Sequence, residues 1–178
     1  MSVYNGADYI HQAIESILNQ SYEDFELIII NDGSTDTTAQ IISSYNDRRI
    51  TLHEQENKGL VPSLNKALSL AKGVYIARHD ADDISNVNRF KKQVDYLEQN
   101  PETVIVGSSI EIMNTDGVVT HEHHVLTHNT ELKQELLVRS PFAHGSVMIR
   151  TQAFHATGNY DVNFWPAEDY ELDRKSVV

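Results

Sequence analysis

Apolar positions along this chain follow two alternating rhythms. Over residues 7–20 they return every three or four places, so that Tyr9, Ile10, Ala13, Ile14, Ile17 and Leu18 share one face, the stripe of an amphipathic helix. Residues 25–30, FELIII, are apolar almost without interruption, which predicts a strand buried on both faces. The polar loop NDGSTD follows, with Ser34 or Thr35 placed to cap a helix running to about residue 45. A short strand is predicted over 49–53, a loop over 57–59, and a helix over 60–71 with Pro62 in its first turn, where proline is tolerated. Gly73 closes that helix, and Val74, Tyr75, Ile76 and Ala77 read as a further buried strand. Residues 1–4 read as the end of a first strand, before an Asn5-Gly6 turn.

The order is therefore β-α-β-α-β-α-β with short connections. It predicts an α/β fold with a mostly parallel sheet, right-handed crossovers and helices on both faces. A helix over 85–100 follows, with Phe90, Val94 and Leu97 on its apolar face. Beyond it the pattern is less regular: one long strand or a strand pair over 104–113, a hairpin-type turn at 114–117, and an antiparallel return over 118–125. Asn129 or Thr130 caps a helix to about 139, a strand is expected over 146–149, a short helix over 151–156, and Glu168-Asp169 opens a last helical stretch. We read residues 1–178 as one domain, with a parallel half over about 1–100 and a smaller antiparallel α+β half over about 101–178.

Composition narrows the function. The chain has 178 residues, 40% hydrophobic and 22% charged, enough for a single proper core. Its net charge of −12 argues against nucleic acid as a partner, because phosphate-backbone binding needs a basic surface. A single nucleotide stays open, since one metal ion and one lysine can offset a diphosphate locally. The absence of cysteine removes thiolate nucleophiles, disulfides and zinc–thiolate sites, and fits a cytoplasmic protein. No apolar run approaches the ~20 residues that span a bilayer.

The candidate chemistry gathers at strand ends. The stretch 74–83, VYIARHDADD, runs from a strand into Asp80-Ala81-Asp82 with Asp83 behind it. Three carboxylates so close together repel unless something positive joins them, and a hard divalent cation, Mg²⁺ or Mn²⁺, is the usual partner. Ligands of open α/β sheets bind outside the carboxyl ends of strands, where this cluster falls. Asp32 leaves the FELIII strand at the same predicted edge, although a turn former in NDGSTD would also be aspartate. A G-x-G-x-x-G after the first strand is missing, so a dinucleotide site is unsupported. His121, His123 and His124 read as exposed strand residues. His144, in FAHGS, suits either a structural role or a contact to metal, diphosphate or acceptor.

These motifs, in this order, resemble family 2 glycosyltransferases, which have the GT-A fold. The likeness rests on SVYNGADYIHQAIESILNQSYEDFELIIINDGSTDTT over 2–38, ENKGLVPSLNKALSLAKGVYIARHDADD over 56–83, and the later FAHGSVMIR and AEDYEL. It implies a metal-dependent, inverting transfer from a nucleotide sugar, most often a UDP-sugar, to an acceptor hydroxyl of a cell-surface polysaccharide or lipid-linked glycan. Under that resemblance Tyr4 and Asn5 face the base and ribose, and Asp32 accepts from the base. Asn57 and Lys58 lie near base or phosphates. Asp80 and Ala81 border the ribose, Asp80 and Asp82 hold Mn²⁺ or Mg²⁺, and Asp169 is the catalytic base. Glu168 is expected to support Asp169, and Asp83 to cap the next helix.

The same resemblance makes the first strand a stub and the LDRKSVV tail unlike the family, so the chain is expected to be cut at both ends. Two alternatives accompany this reading: a nucleotide-sugar-binding fragment without turnover, and a nucleotidyltransferase, which would be expected to carry a Gly-rich basic loop after strand one. A cytoplasmic location is expected, with at most peripheral association at the inner face of the cell membrane.

Overall fold

The computed structural model describes residues 1–177. Strands β1 (Ser2–Val3), β2 (Leu27–Asn31) and β3 (Ile50–Glu54) form a parallel sheet in the order β1-β2-β3. Ser2 pairs with Ile30, and Leu27 through Asn31 run in register with Ile50 through Glu54. Every residue of β2 is buried, as its uninterrupted apolar run requires. Helix α1 (Ile10–Leu18) covers one face, and Ile10, Ile14 and Ile17 pack with Leu27 and Ile29 in one core cluster. This helix is shorter than the predicted 7–20, and Tyr9 is left exposed at its N-cap. Helix α2 (Thr38–Ser43) adds Ile42 to the same cluster. Helix α3 (Leu60–Leu70) packs on β1 and β2 and sends Val61 and Leu64 into a second cluster.

Neither Ser34 nor Thr35 caps α2. Both are drawn to Asn5 instead: the Asn5 N–H donates to Ser34 Oγ at 2.9 Å, and the Thr35 N–H donates to Asn5 Oδ1 at 2.8 Å. Asp36 takes over the helix start, its Oδ1 accepting from the Thr38 N–H at 3.0 Å. Asn5 holds this clamp from a left-handed conformation, φ 50°.

The fourth strand departs from the expected parallel pairing. β4 (Tyr75–Ala77) pairs antiparallel with β8 (Met148–Arg150), which also pairs antiparallel with β5 (Ile105–Val106). This second sheet has the order β4-β8-β5. β1 and β4 are thus edge strands of two different sheets, and a cleft of about 630 Å³ runs along β4 and the start of β2, lined by Met1, Leu27, Ile28, Leu68, Tyr75 and Ile76, among others.

Helix α4 (Arg89–Gln99) buries Phe90 and Leu97 as predicted and also buries Arg89 and Gln93. The 104–113 region resolves into β5 and a separate strand, β6 (Ile110–Met113), which forms a hairpin with β7 (Val119–His123). His121, His123 and His124 are exposed. Helix α5 (Asn129–Glu135) begins after His128, and α6 (Thr151–Thr157) and α7 (Glu168–Val177) complete the chain. The second core cluster joins Val147 and Ile149 to Phe154, Tyr160 and Leu172. Among the described residues no helix is long and apolar enough to cross a membrane.

Candidate active site

Two polar clusters stand at strand ends, one after β2 and one after β4. The first is built at the end of β2. Asp32 is buried, and both its oxygens are engaged: Oδ1 accepts from Gln55 Nε2 at 2.7 Å and from the Lys58 N–H at 2.9 Å, and Oδ2 accepts from the Gly59 N–H at 2.8 Å. Burial alone would raise this carboxyl; the hydrogen bonds from Gln55, Lys58, Gly59 and Ser63 outweigh it and hold it below the ordinary aspartate value. Gly33 permits the closeness, because a Cβ there would stand 2.7 Å from the Asn57 amide nitrogen. The NDG turn and the 55–59 loop are thereby locked together. The side chains of Asn57 and Lys58 stay exposed, as does Tyr4. Asp32, Asn57 and Lys58 are brought to one place, with Asn5 holding the adjoining 34–36 turn.

The second cluster is built at the end of β4. The Arg78 guanidinium is about nine-tenths buried, and its Nη2 meets Asp80 Oδ1 at 2.6 Å. Its Nε and Nη1 are buried without a hydrogen-bond partner. Burial opposes the charge on Arg78, but Asp80 restores it, and the guanidinium stays firmly protonated. This is a positive partner for the carboxylates that charge counting alone assigned wholly to a metal. Asp83 does not cap the next helix, which starts only at Arg89 after Asn88. Its carboxylate instead converges with that of Asp80 on Gly145: a Cβ at that glycine would collide with Asp83 and stand 2.8 Å from Asp80 Oδ2. Burial, with the charges of Asp80 and Asp82, raises the Asp83 carboxyl. Asp82 is exposed on the turn, and Ala81 is half-buried against the first core.

Buried side chains hold this loop in place. Arg89 Nη2 donates to the carbonyls of Arg78 at 2.6 Å and Val147 at 3.1 Å, and its Nη1 donates to Ser85 Oγ at 3.0 Å. Gln93 Nε2 donates to the Ser146 carbonyl at 2.7 Å. His79, between Arg78 and Asp80, is buried and depressed to about 4 by that burial and by Arg89, so it is neutral near pH 7.

His144 sits beside Gly145, with Nε2 2.8 Å from the Tyr160 hydroxyl and Nδ1 3.6 Å from Asp173 Oδ1. Asp173 is fully buried, and its Oδ2 accepts from Ser140 Oγ at 2.6 Å. His144 therefore ties the Gly145 turn to Tyr160 and lies beside Asp173 of α7. Glu168 is buried with Oε2 unpaired, whereas Asp169, beside it, is half-exposed. Arg78, Tyr160 and Asp173 were missed by sequence reasoning. Arg78 had a signal, a cation two positions before an acidic triplet; Tyr160 and Asp173 had none, since only the tertiary fold brings them to His144.

The residues present fit a hard divalent cation. The Asp80 and Asp83 carboxylates both reach Gly145, and a small hard cation needs only one or two protein carboxylates when phosphates and water complete its shell. Among the described residues no group of three or more His, Asp or Glu side chains is arranged to hold a metal without such help.

Comparison with known proteins agrees with this architecture. Residues 1–158 match the glycosyl transferase family 2 model, a match that stops before Glu168 and Asp169. EpsE of Bacillus subtilis (strain 168), named a glycosyltransferase, is 37% identical over 164 residues, covering 90% of this chain and 58% of its own. The O-antigen biosynthesis glycosyltransferase WbnJ of Escherichia coli is 35% identical over 175 residues, covering 97% of this chain and 68% of its own. Among solved structures, S. aureus TarS 1–349 in complex with UDP-GlcNAc superposes with a TM-score of 0.78 at 22% identity, over 99% of this chain and 51% of that one. The mannosyltransferase PcManGT from Pyrobaculum calidifontis, in complex with GDP-Man and Mn²⁺, gives 0.71 at 20% identity, over 96% and 48%. The chain thus spans little more than half of EpsE and about half of these structures, which share its GT-A-like fold. On the family match and these relatives, the chain belongs to glycosyl transferase family 2.

Proposed function

We propose that this chain binds a nucleotide-sugar donor, a UDP-sugar by preference, across the two clusters. In the whole enzyme it serves an inverting, metal-assisted transfer to a hydroxyl of a cell-surface polysaccharide or lipid-linked glycan. The observation that carries the reading is the convergence of Asp80 and Asp83 on Gly145, with Arg78 as counter-charge, at the end of a sheet strand. The printed names of the relatives add to it: O-antigen biosynthesis for WbnJ, UDP-GlcNAc for the TarS complex, and GDP-Man with Mn²⁺ for PcManGT.

In this reading Tyr4 and Asn5 border the base and ribose, and Asp32 accepts from the base while holding the 57–59 loop that offers Asn57 and Lys58. Asp80 and Ala81 border the ribose and diphosphate. Asp80 and Asp82, with Asp83 close by, hold Mn²⁺ or Mg²⁺, which when bound neutralises charge growing on the leaving diphosphate. Asp169 takes the proton from the acceptor hydroxyl, because a neutral hydroxyl is a poor nucleophile and a carboxylate within hydrogen-bond reach lowers the barrier. Glu168 and His144 brace it, His144 through Asp173 on the same helix.

The test is a thermal-shift screen of UDP-, GDP- and TDP-sugars with and without Mn²⁺. A donor at about 100 times its dissociation constant adds about 2.7 kcal/mol to stability. An Asp82→Ala chain that keeps the parent's Mn²⁺ dependence would overturn the metal assignment. A second reading is donor binding without turnover. Donor-dependent stabilisation with neither transfer nor UDP release would establish it.

A further inference from the structure

We propose that Ser16 and Gln20 are positioning residues of the donor site, strapping the segment that carries the acidic turn to helix α1. The proposal rests on the donor reading, in which Asp80, Asp82 and Asp83 hold a metal–diphosphate and the Asn5 turn borders the base. Its observation is a set of hydrogen bonds that grip both limbs of the acidic turn from the end of one helix.

Residues 78–88, between β4 and α4, form no helix or strand, and the like charges of Asp80, Asp82 and Asp83 favour opening the turn they share. Its far limb is held from α1. Ser16 Oγ, in the last turn of that helix, donates to the Ala13 carbonyl at 2.8 Å and accepts from the Ser85 N–H at 3.0 Å. Gln20, buried just beyond the helix, uses both ends of its amide. Its Nε2 donates to the Asn86 carbonyl at 2.8 Å and to the Ser16 carbonyl at 3.1 Å, and its Oε1 accepts from the Phe90 N–H at 2.9 Å. The Ser21 N–H donates to the Val87 carbonyl at 2.8 Å. The near limb meets the same hydroxyl: His79 Nε2 lies 3.5 Å from Ser16 Oγ, and its Nδ1 lies 2.5 Å from the Asp80 carbonyl. The acidic turn is thus strung between His79 and Ser85, which both touch Ser16.

The other end of α1 grows out of the Asn5 turn. The Gly6 carbonyl accepts from the N–H groups of Tyr9 and Ile10 at 3.0 and 2.9 Å. The Gly6 N–H donates to Thr38 Oγ1 at 2.9 Å, and the Ala7 N–H donates to Asp36 Oδ2 at 3.2 Å, which bolts this end to the 34–38 turn. The nine residues of α1 rise ~1.5 Å each, a stiff spacer of about 14 Å. Among the described residues no strand ladder joins the sheets of the two clusters, so the strap from α1 registers the metal side of the site against the base side. A loop in place only part of the time binds its ligand more weakly by that fraction. Loosening the strap therefore costs metal affinity and spares the base end.

The test titrates Mn²⁺ by calorimetry into the chain saturated with UDP, and measures UDP affinity separately in EDTA. Ser16→Ala should raise the apparent Mn²⁺ dissociation constant about tenfold, the equivalent of ~1.4 kcal/mol, while metal-free UDP affinity stays within about twofold. Ser16→Thr keeps the hydroxyl and should restore the parent's value. Gln20→Ala should weaken Mn²⁺ at least as much as Ser16→Ala; if it fails to fold, Ser16→Ala decides, since it leaves the Gln20 bonds in place. In the free chain, Ser16→Ala should speed amide hydrogen exchange at Ser85 and leave Ile29 of β2 unchanged. Mn²⁺ binding equal to the parent's, an equal loss of Mn²⁺ and metal-free UDP affinity, or unaltered exchange at Ser85 would each overturn the positioning role. A parent without Mn²⁺-dependent UDP binding overturns the donor reading and this role with it. A parent that binds and a Ser16→Ala chain that is indifferent sink the strap alone.

Discussion

Replacing Asp32 with asparagine asks whether this carboxylate is a scaffold of the site as well as a ligand for a base. Its oxygens take three hydrogen bonds within the chain, one from Gln55 and two from the backbone at the start of α3. The amide retains one acceptor oxygen and presents an NH₂ where the other stood. One buried donor, Gly59 N–H or the Gln55–Lys58 pair, then meets a second donor. An unsatisfied buried group costs ~1–3 kcal/mol, and the remaining bonds fall from the charge-assisted range, ~1.5–3 kcal/mol, to ~0.5–1.5 kcal/mol each. Relief of carboxylate desolvation offsets part of this, and a net loss of about 3 kcal/mol remains. For a chain of this size that lowers Tm by about 6–12 °C, at ~2–4 °C per kcal/mol. The pH dependence gives an independent check. Asp32 is depressed in the fold, so its contribution is complete above its ordinary value of 3.8 and is lost as pH falls through the lower folded value. The parent–variant difference should be constant at neutral pH and close only in that acid range. Thermal and urea melts across pH, read beside UDP binding, make the measurement. An Asp32→Asn chain as stable as the parent would refute the scaffold argument.

Three further outcomes follow from the second cluster. Asp83→Asn should raise Tm at neutral pH without metal, because a raised carboxyl weakens the fold once ionised, and should reduce the additional stabilisation by Mn²⁺ with UDP; a thermal-shift pair with and without the ion reads both. Gly145→Ala forces a Cβ into the space where Asp80 and Asp83 converge, so calorimetry should find Mn²⁺-dependent UDP binding weakened at least about tenfold, the equivalent of ~1.4 kcal/mol, with the bulk of the fold kept. Arg89→Leu strips the Arg78 carbonyl and the Ser85 hydroxyl of their buried donor and leaves the Val147 carbonyl only its bond from the Arg78 N–H, and should cost about 3 kcal/mol by urea unfolding; a loss under ~0.5 kcal/mol, the surface-substitution range, would show that the loop holds itself.

The parts legible in the sequence were those written in local periodicity. FELIII specified β2, and the three-four spacing over 7–20 found α1, because each pattern is satisfied by neighbours close in the chain. The 114–117 turn likewise foretold the β6–β7 hairpin. What escaped were pairings made across the fold. β4 reads identically whether its partner is parallel or antiparallel, and only β8, more than seventy residues on, decides. Arg89 and Gln93 lie on a helix face that polarity assigns to solvent, yet both are buried because open carbonyls of other segments need donors there. Asp83 looked like a cap since it precedes a helix, and the turn between them carried it to Gly145 instead. The family likeness gave Asp32 a contact to the base; its three internal hydrogen bonds to Gln55 and the 58–59 backbone escaped, because they depend on a glycine at 33 admitting the second loop.

The two clusters stand on different sheets, with no strand ladder joining those sheets among the described residues. The sheets are joined by packed side chains, Phe90 and Met148 sharing a core cluster with Leu27 and Ile29. Backbone hydrogen bonds resist a change of distance steeply, whereas packing around a cleft of about 630 Å³ yields to volume. Hydrostatic pressure favours arrangements that eliminate void space, so compression acts on this cleft before it acts on the ladder of either sheet, and side-chain volume along the cleft is the quantity that tunes how far it yields.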